Sequence, residues 1–458
     1  MYRQTQHIHF VGIGGIGMSG IAELLLSLGY QVSGSDLRES DITKRLADLG
    51  GTIHFGHAGE WIKGADVVVV STAIKQDNPE VAAAQEENIP IIQRAEMLAE
   101  LMRLKKYGIA VAGSHGKTST TSMVAAVLVE AKLDPTVVVG GKVLSLGSNA
   151  KLGEGEFLVA EADESDGSFL KLSPVIEVVT NIDFEHPDYY RDIDHVKEIF
   201  LKFISRLPFY GVAVLCLDNE HIAQILPQIG KRIFSYGLTE QANLQAVGLY
   251  REDGRNVFTV RLHGEDLGKI RLNRPGRHLV YNSLAAVAVG LELDIEFAVI
   301  ARALENFQGV QRRLQVKGET AEVLVVDDYG HHPTEIRATL DAIREGWPDR
   351  RVVTIFQPHR YSRTSGLFDE FLTAFRRSDV LILTDIYAAG EAPIEGVSSA
   401  ILLDGIRRHG QRQAHHLPDA VENPSSILPL LEPGDIVLTL GAGSVGKLGD
   451  ELLGLLTN

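Results

Sequence analysis

The run Gly113-Ser114-His115-Gly116-Lys117-Thr118 follows a short apolar stretch, Gly108 to Ala112, and opens an apolar helical stretch, Thr118 to Ala131. A glycine-rich turn between a strand and a helix lets successive backbone N–H groups point inward at phosphate oxygens. Lys117 can then reach the β- and γ-phosphates as a point charge, and Thr118 can place its hydroxyl on Mg²⁺. The spacing departs from the common phosphate loop. Position 111, where the first glycine of that pattern falls, is Val111, and a glycine stands instead at 113. The alternative is a glycine-rich turn carrying a surface lysine, but the flanking strand and helix favour the phosphate reading.

A second run, Gly12-Ile13-Gly14-Gly15-Ile16-Gly17, follows the first β-rich stretch, His7 to Val11, and precedes the helical spacing of Met18 to Leu28. Asp36 ends the next strand. These are the parts of a dinucleotide-binding fingerprint, a tight turn and a helix N-terminus that accept any pyrophosphate. The alternative is glycines that serve only helix–sheet packing. Two phosphate loops in separate domains form a joint constraint. Hydride transfer needs the first and has no use for the second. A phosphate-loop kinase needs the second and not the first. An enzyme that joins a nucleotide-linked substrate to something else at the expense of ATP uses both.

At 458 residues the chain has room for about three domains. Strand and helix signals alternate through most of it. The four consecutive valines of Val67 to Val70 have the pattern of a parallel strand buried on both faces. Leu101 to Tyr107 reads as a charged connection, Leu244 to Leu272 as antiparallel strands, and Gln308 to Leu314 as a second boundary. The expected division is therefore 1–104, 105–314 and 315–458, each domain α/β. The net charge of −16 leaves no basic patch to track a nucleic-acid backbone. Cys216 is the single cysteine, so no disulfide forms within the chain, and after the apolar run 211–215 it reads as a small buried hydrophobe. No signal pattern and no apolar run of about 20 residues is present. The expectation is a cytoplasmic protein, monomer or homodimer, with neither nucleic acid nor membrane as partner.

Three polar clusters sit at strand ends. Glu161, Asp163, Glu164 and Asp166 follow an apolar strand, and four carboxylates so close repel one another unless a cation is nearby. Mg²⁺ prefers such hard oxygen ligands, although a solvated acidic loop is the commoner meaning of a charge run. The segment Asn181 to Asp188 places His186 where it can ligate metal or orient a phosphate. His359-Arg360-Tyr361-Ser362-Arg363 follows the strand Val352 to Phe356, and two arginines three apart can clamp a carboxylate. A third glycine run, Gly441 to Gly446, reads as a turn without chemistry.

The combination of GIGGIGMSG at 12–20, GSHGKTSTT at 113–121, EADESD at 161–166, DDYGHHP at 327–333 and HRYSRT at 359–364 resembles the Mur ligases over nearly the whole chain and in the expected order. The resemblance implies an N-terminal Rossmann-like domain for a UDP-sugar, a central ATP-binding domain and a C-terminal Rossmann-like domain that helps bind an amino acid. It implies ATP and Mg²⁺ as cofactors, and UDP-N-acetylmuramate and L-alanine as substrates. The muramoyl carboxylate attacks the γ-phosphate, and the amine of L-alanine attacks the resulting acyl phosphate. By resemblance, Gly113 to Thr118, Ser119, Asn282, Arg313 and Asp328 meet ATP, with Lys117, His186 and Arg360 catalytic. Thr118 and Glu161 hold one Mg²⁺, and His186 helps hold a second near the acyl phosphate. Gly14, Gly15, Ile16, Gly17, Asp36, His57 and Ser71 lie along the UDP-sugar, and Tyr329, His331, Arg360 and Arg363 surround L-alanine. Two other activities remain open: a recycling ligase that adds a preformed peptide to the same UDP-sugar, and an NAD-dependent dehydrogenase.

Overall fold

Runs such as Val67–Val70 and Ile109 to Ala112 have no polar face, so they are stable only as strands covered by helices on both sides. The computed structural model builds all three sheets on this rule. It describes residues 6–71, 73–141, 149–187 and 189–457; Asp188, at the end of the second polar cluster, lies outside them.

The first sheet comprises β1 (His7–Val11), β2 (Gln31–Asp36), β3 (Thr52–Phe55), β4 (Val67–Val70) and β5 (Ile91–Gln93), in the order β3-β2-β1-β4-β5 and all parallel. Helices α1 (Ile16–Ser27), α2 (Asp41–Asp48), α3 (Pro79–Glu86) and α4 (Arg94–Arg103) connect them. Strand order reverses between β1 and β4, and a crevice opens outside the strand C-termini at such a switch. The glycine run after β1 lies at that edge. The stretch from Leu101 is not the charged connection expected from its lysines and arginine. Its start is the last turn of α4, and Leu101 and Met102 are buried. Met102 lies over Gly108, where an added Cβ would meet its Cγ at 2.6 Å. Apolar helical spacing at Leu98, Leu101 and Met102 outweighs the local charge.

The central sheet has ten strands: β6 (Tyr107–Ala112), β7 (Thr136–Val138), β8 (Ala150–Lys151), β9 (Phe157–Glu161), β10 (Ile176–Val179), β11 (Val212–Cys216), β12 (Arg232–Gly237), β13 (Leu244–Glu252), β14 (Arg255–Leu262) and β15 (Glu265–Leu272). Its order is β15-β14-β13-β12-β11-β10-β6-β9-β7-β8. The last three strands in sequence form the expected antiparallel meander. Helices α5 (Lys117–Glu130), α6 (Ile193–Ser205), α7 (Glu220–Ile225), α8 (Arg277–Glu292) and α9 (Phe297–Glu305) belong to this part. Strand β6 lies between β10 and β9, parallel to both. The segments that follow these three strands therefore emerge side by side.

The third sheet contains β16 (Gln315–Thr320), β17 (Val323–Asp328), β18 (Val352–Phe356), β19 (Val380–Leu383), β20 (Ala414–His416) and β21 (Ile436–Leu440), in the order β16-β17-β21-β18-β19-β20, with only β16 antiparallel. Helix α10 (Pro333–Gly346) follows β17, and α11 (Tyr361–Gly366) follows β18. Apolar side chains of the first and central sheets share one continuous core, whereas the third sheet carries separate cores on its two faces.

One core residue conflicts with its surroundings. Glu177 of β10 is fully buried, and neither carboxylate oxygen has a hydrogen-bond partner. Burial pushes its carboxyl well above the usual range, against the weaker pull of Lys231 and Arg206. The folded state therefore favours the neutral acid, and ionisation costs stability as pH rises above the unfolded value near 4.5. Glu177→Met is expected to stabilise the protein at pH 7.5 by about 1–3 kcal/mol, with the advantage shrinking toward pH 4.5. Thermal unfolding at the two pH values measures it; equal midpoints at pH 7.5 would refute the account.

Candidate active site

The loop at 113–118 is shaped by two glycines that no other residue replaces. Gly113 has φ 131° and Gly116 has φ 79°, both left-handed. A Cβ on Gly113 would lie 2.1 Å from Thr180 Oγ1, and one on Gly116 would lie 2.8 Å from Asn282 Oδ1. The segment after β10 braces the loop. Asn181 Oδ1 accepts from the His115 N–H at 2.8 Å, while Asn181 Nδ2 and Thr180 Oγ1 donate to the His115 carbonyl at 3.0 and 2.6 Å. Ser114 Oγ accepts from the Asp183 N–H at 2.8 Å.

Lys117 Nζ donates to the carbonyls of Gly113 and Ser114 at 2.7 and 3.0 Å and reaches Glu164 at 2.8 Å. Burial opposes its charge, but Glu164, Glu185, Glu161 and Asp163 outweigh burial and raise its pKa. Burial and the neighbouring carboxylates push Glu164 itself up to about 8, against the attraction of Lys117. The expected repulsion among the carboxylates is thus relieved first by protein cations. Lys117 serves Glu164, and Arg94 Nη2 bonds Asp163 at 2.9 Å.

Thr118 and Glu161, expected at one Mg²⁺, stand together, and His186, expected at a second, stands apart from them. Thr118 Oγ1 donates to Glu161 at 3.0 Å, and Glu161 also accepts from the Gly140 N–H at 2.7 Å. His186 instead joins Glu164 and Glu185, with its Nε2 3.9 Å from each. His186 adopts φ 57° immediately before Pro187, a left-handed backbone that costs a residue with a Cβ about 1–3 kcal/mol. Burial lowers its pKa and keeps the imidazole neutral, the form that ligates metal. The donor set of hard oxygens and one neutral imidazole fits a divalent cation.

A second group, His115, Asp183 and His332, also has ligand-like spacing. Its chemistry argues for an ion pair. Burial disfavours charge on His115, but its hydrogen bond to Asp183 at 3.0 Å and the carboxylates of Glu335 and Glu185 raise it to about 10. His332 Nδ1 accepts from the Thr334 N–H and so caps α10. Thr334 Oγ1 donates to Asp183 at 2.8 Å. These contacts fasten the phosphate loop to the start of α10.

Beside this bridge lies a cavity of about 470 Å³. His115, Gly116, Ser119, Asn282, Arg313 and Asp328, all expected around ATP, line it together. Asn181, Asp183, Asp218, His278 and Tyr281 line it too and were not legible in the sequence. Asp328 is buried and occupied, accepting from the N–H groups of Leu314 and Gly330 at 2.7 Å each. Cys216 also borders the cavity, its thiol pushed up to about 12 by burial.

The residues expected around the amino acid diverge. Arg363, inside α11, reaches Glu185 at 3.3 Å, and His331 Nε2 approaches the same carboxylate at 3.4 Å. Arg360 stands at the N-cap of α11 with φ 70° and approaches Glu391 at 3.9 Å. The two guanidiniums therefore meet different carboxylates. The Tyr329 ring carries the guanidiniums of Arg312 and Arg313 at 5.2 and 5.0 Å.

At the first sheet, Asp36 Oδ2 accepts from the Gly14 N–H at 2.9 Å, so this carboxylate supports the glycine loop itself. Gly15 caps α1 and Ile16 is exposed. A Cβ on Gly17 would lie 2.8 Å from the Arg94 guanidinium that pairs with Asp163. Arg94 thereby links the first glycine loop to the carboxylates after β9, a role the sequence did not signal. Ser71 follows β4, and His57 lies just beyond β3.

Three family models match in succession: "Mur ligase family, catalytic domain" at residues 7–106, "Mur ligase middle domain" at 111–290 and "Mur ligase, glutamate ligase domain" at 312–443. The chain belongs to the Mur ligase family. It is 63% identical to the UDP-N-acetylmuramate–L-alanine ligase of Desulfotalea psychrophila, over 100% of this chain and 99% of that one. It is 58% identical to the protein of the same name from Geobacter sulfurreducens, over 99% and 98%. The crystal structure of UDP-N-acetylmuramate–alanine ligase from Thermotoga maritima superposes with a TM-score of 0.83 at 30% identity, covering 98% of each chain. A murein peptide ligase from Psychrobacter arcticus shares the fold, with a TM-score of 0.73 at 24% identity. Members of this family are ATP-dependent ligases, and ATP is a substrate. Among the described residues, no helix is long and apolar enough to cross a membrane.

The His115 bridge makes stability depend on pH with a definite sign. A folded pKa near 10 against 6.5 unfolded means the contribution is fully present below pH 6.5 and is lost as pH rises through 10. Thermal unfolding of wild type should weaken more steeply between pH 6.5 and 10 than that of His115→Asn. Parallel pH profiles would show that the bridge is not protonated.

Proposed function

We propose that this protein joins L-alanine to the carboxylate of UDP-N-acetylmuramate in an ATP-dependent reaction that passes through an acyl phosphate, in peptidoglycan synthesis. The carrying observation is one cavity lined by the phosphate loop at His115 and Gly116, by Ser119, Asn282 and Arg313, and by Asp328, Thr334 and Glu335 of the third domain, with Lys117 of the same loop paired to Glu164. The relatives' shared name specifies the substrates. Both substrates being cytoplasmic nucleotides or amino acids, we place the reaction in the cytoplasm.

The first domain, 1–104, takes the UDP-sugar at its strand-order switch, along Gly14 to Gly17, His57 and Ser71. Asp36 contributes by holding the Gly14 backbone in place. The central domain, 105–314, takes ATP. Asn282, Ser119 and Arg313 lie where the nucleoside enters, and the helix-start N–H groups of Gly116 to Thr118 meet the phosphates, those of Ser114 and His115 being taken by Asn181. When phosphate arrives, Lys117 exchanges Glu164 for phosphoryl oxygens and stabilises charge on the transferring group. Thr118 and Glu161 would hold one Mg²⁺, and His186, with Glu164 and Glu185 beside it, a second. Mg²⁺ supplies charge neutralisation on the phosphates when bound.

A carboxylate is a poor electrophile, and phosphorylation gives it a leaving group. The C-terminal domain, 315–458, brings L-alanine. Arg360, half-exposed and only loosely held by Glu391, is the guanidinium free to meet the amino-acid carboxylate. Arg363 and His331 position Glu185, and Tyr329 and His331 border the acceptor. Excluding water matters because an acyl phosphate hydrolyses, and the contacts between α10 and the phosphate loop draw the two domains together over the site.

Two experiments test the proposal. Lys117→Ala is expected to lower phosphate release by at least about 100-fold, equivalent to about 3 kcal/mol of transition-state stabilisation. Unchanged turnover would mean that the loop has been misread. In wild type, phosphate release should require UDP-N-acetylmuramate and L-alanine together. Turnover with a tripeptide and none with L-alanine would assign the recycling reaction instead, and saturable NADH binding would revive the dehydrogenase.

A further inference from the structure

Inside the first domain runs a continuous chain of buried hydrogen bonds, of which the mechanism above uses only the last residue, His57. His7 Nδ1 bonds the Gly64 carbonyl at 2.9 Å, and His7 Nε2 bonds Ser33 Oγ at 2.7 Å. Ser33 Oγ bonds His9 Nδ1 at 2.7 Å, and His9 Nε2 bonds Glu80 Oε2 at 2.6 Å. The other oxygen, Glu80 Oε1, bonds His57 Nδ1 at 2.6 Å, and Ser35 Oγ stands 3.2 Å from the same nitrogen. His9 and Glu80 are wholly inaccessible, whereas the His57 side chain keeps 19% of its surface. His57 follows β3, at the C-terminal edge of the sheet where the crevice opens, and its Nε2 makes no hydrogen bond among the described residues.

Counting hydrogens fixes the protonation of this chain. A carbonyl only accepts, so His7 Nδ1 carries a proton. An ionised carboxylate also only accepts, so His9 Nε2 and His57 Nδ1 carry protons too. The single hydroxyl hydrogen of Ser33 can serve only one of its two imidazole neighbours. His7 and His9 thus share the one Ser33 hydroxyl hydrogen between two ring nitrogens. Burial alone raises the Glu80 carboxyl; the hydrogen bonds from His9 and His57 outweigh it and hold the group below the usual range. The His57 bond to Glu80 Oε1 places a proton on Nδ1, and in that tautomer Nε2 presents a lone pair.

We propose that Glu80 is a positioning residue for nucleotide-sugar binding. It locks His57 in the Nδ1–H tautomer so that Nε2 accepts a hydrogen bond from a donor of the uridine, either a ribose hydroxyl or the uracil N–H. The inference rests on the reading that the first domain binds the UDP-sugar. A carboxylate at position 80 is required because it accepts from two imidazoles at once. In Glu80→Gln one oxygen becomes an NH₂ donor, which faces an imidazole N–H and forces one ring to exchange its tautomer. His57, at the open end of the chain, is the ring that can change. Its proton then moves to Nε2 and the acceptor is lost.

The test is steady-state kinetics of the full chain, with UDP as a competitive probe. Glu80→Gln is expected to raise KM for UDP-N-acetylmuramate and Ki for UDP about tenfold, with kcat within twofold and KM for ATP unchanged. His57→Gln should do the same, and the double variant should be no worse than His57→Gln alone, because Glu80 acts through that ring. Inhibition by 2′-deoxy-UDP and by N3-methyl-UDP separates the two donors: the analogue lacking the relevant hydrogen should bind wild type and His57→Gln equally. Should Glu80→Gln fail to fold, Glu80→Asp, which keeps the charge and withdraws it by one methylene, should show a smaller rise confined to the same KM. Additive effects in the double variant, a parallel rise in KM for ATP, or an unchanged UDP-sugar KM would overturn the inference. Failure of wild type to saturate with UDP-N-acetylmuramate would instead overturn the ligase reading.

Discussion

The buried ammonium of Lys117 is the constraint around which the site is organised. It is removed from water, and burying a charge without partners costs several kcal/mol. Two loop carbonyls and Glu164 replace the lost hydration. Those partners come from the segments after β6 and β9, and the brace of the loop comes from the segment after β10. Only a sheet with β6 between the other two strands brings the three together. The Glu164 carboxyl sits on Lys117 at 2.8 Å, in the direction from which the loop would present the ammonium to a phosphate.

The same charge logic ties the three domains together. Arg94 and Asp163 join the first domain to the central one. His115, Asp183 and Thr334, and separately Arg363 and Glu185, join the central domain to the third. Each bridge involves a residue within or next to the proposed reaction centre. The substrates of the proposed reaction are themselves charged, so they compete with these bridges. Occupancy of the site and the arrangement of the domains are thereby linked through the same carboxylates.

The first domain shows how a familiar pattern takes a local meaning. Asp36 stands where a ribose-binding carboxylate is found in dinucleotide-binding folds, yet here it accepts from Gly14 and stabilises the turn. A separate chain of hydrogen bonds from β1, β2 and α3 ends at His57. Nothing in the spacing of His7, His9, Ser33, His57 and Glu80 marks them as one unit, because strand pairing between β1 and β2 and the packing of α3 create their adjacency.

Local patterns were sufficient for the α/β class, the three sheets and the two glycine loops, because apolar runs, glycine turns and helix starts are governed by interactions within a few residues. Most strands lie within a residue or two of where their apolar runs place them, and His115, Gly116, Ser119, Asn282, Arg313 and Asp328, six of the residues expected around ATP, line one cavity. The departures have long-range causes. Leu101 and Met102 continue a helix because a buried surface awaits them. Arg360 and Arg363 part company because one caps a short helix and the other lies within it. The sequence by itself determined which chemical groups the protein owns and at which strand ends they sit. Only the tertiary structure decided which of them meet, because strand order, which is set by packing across the whole sheet, selects the neighbours of every loop.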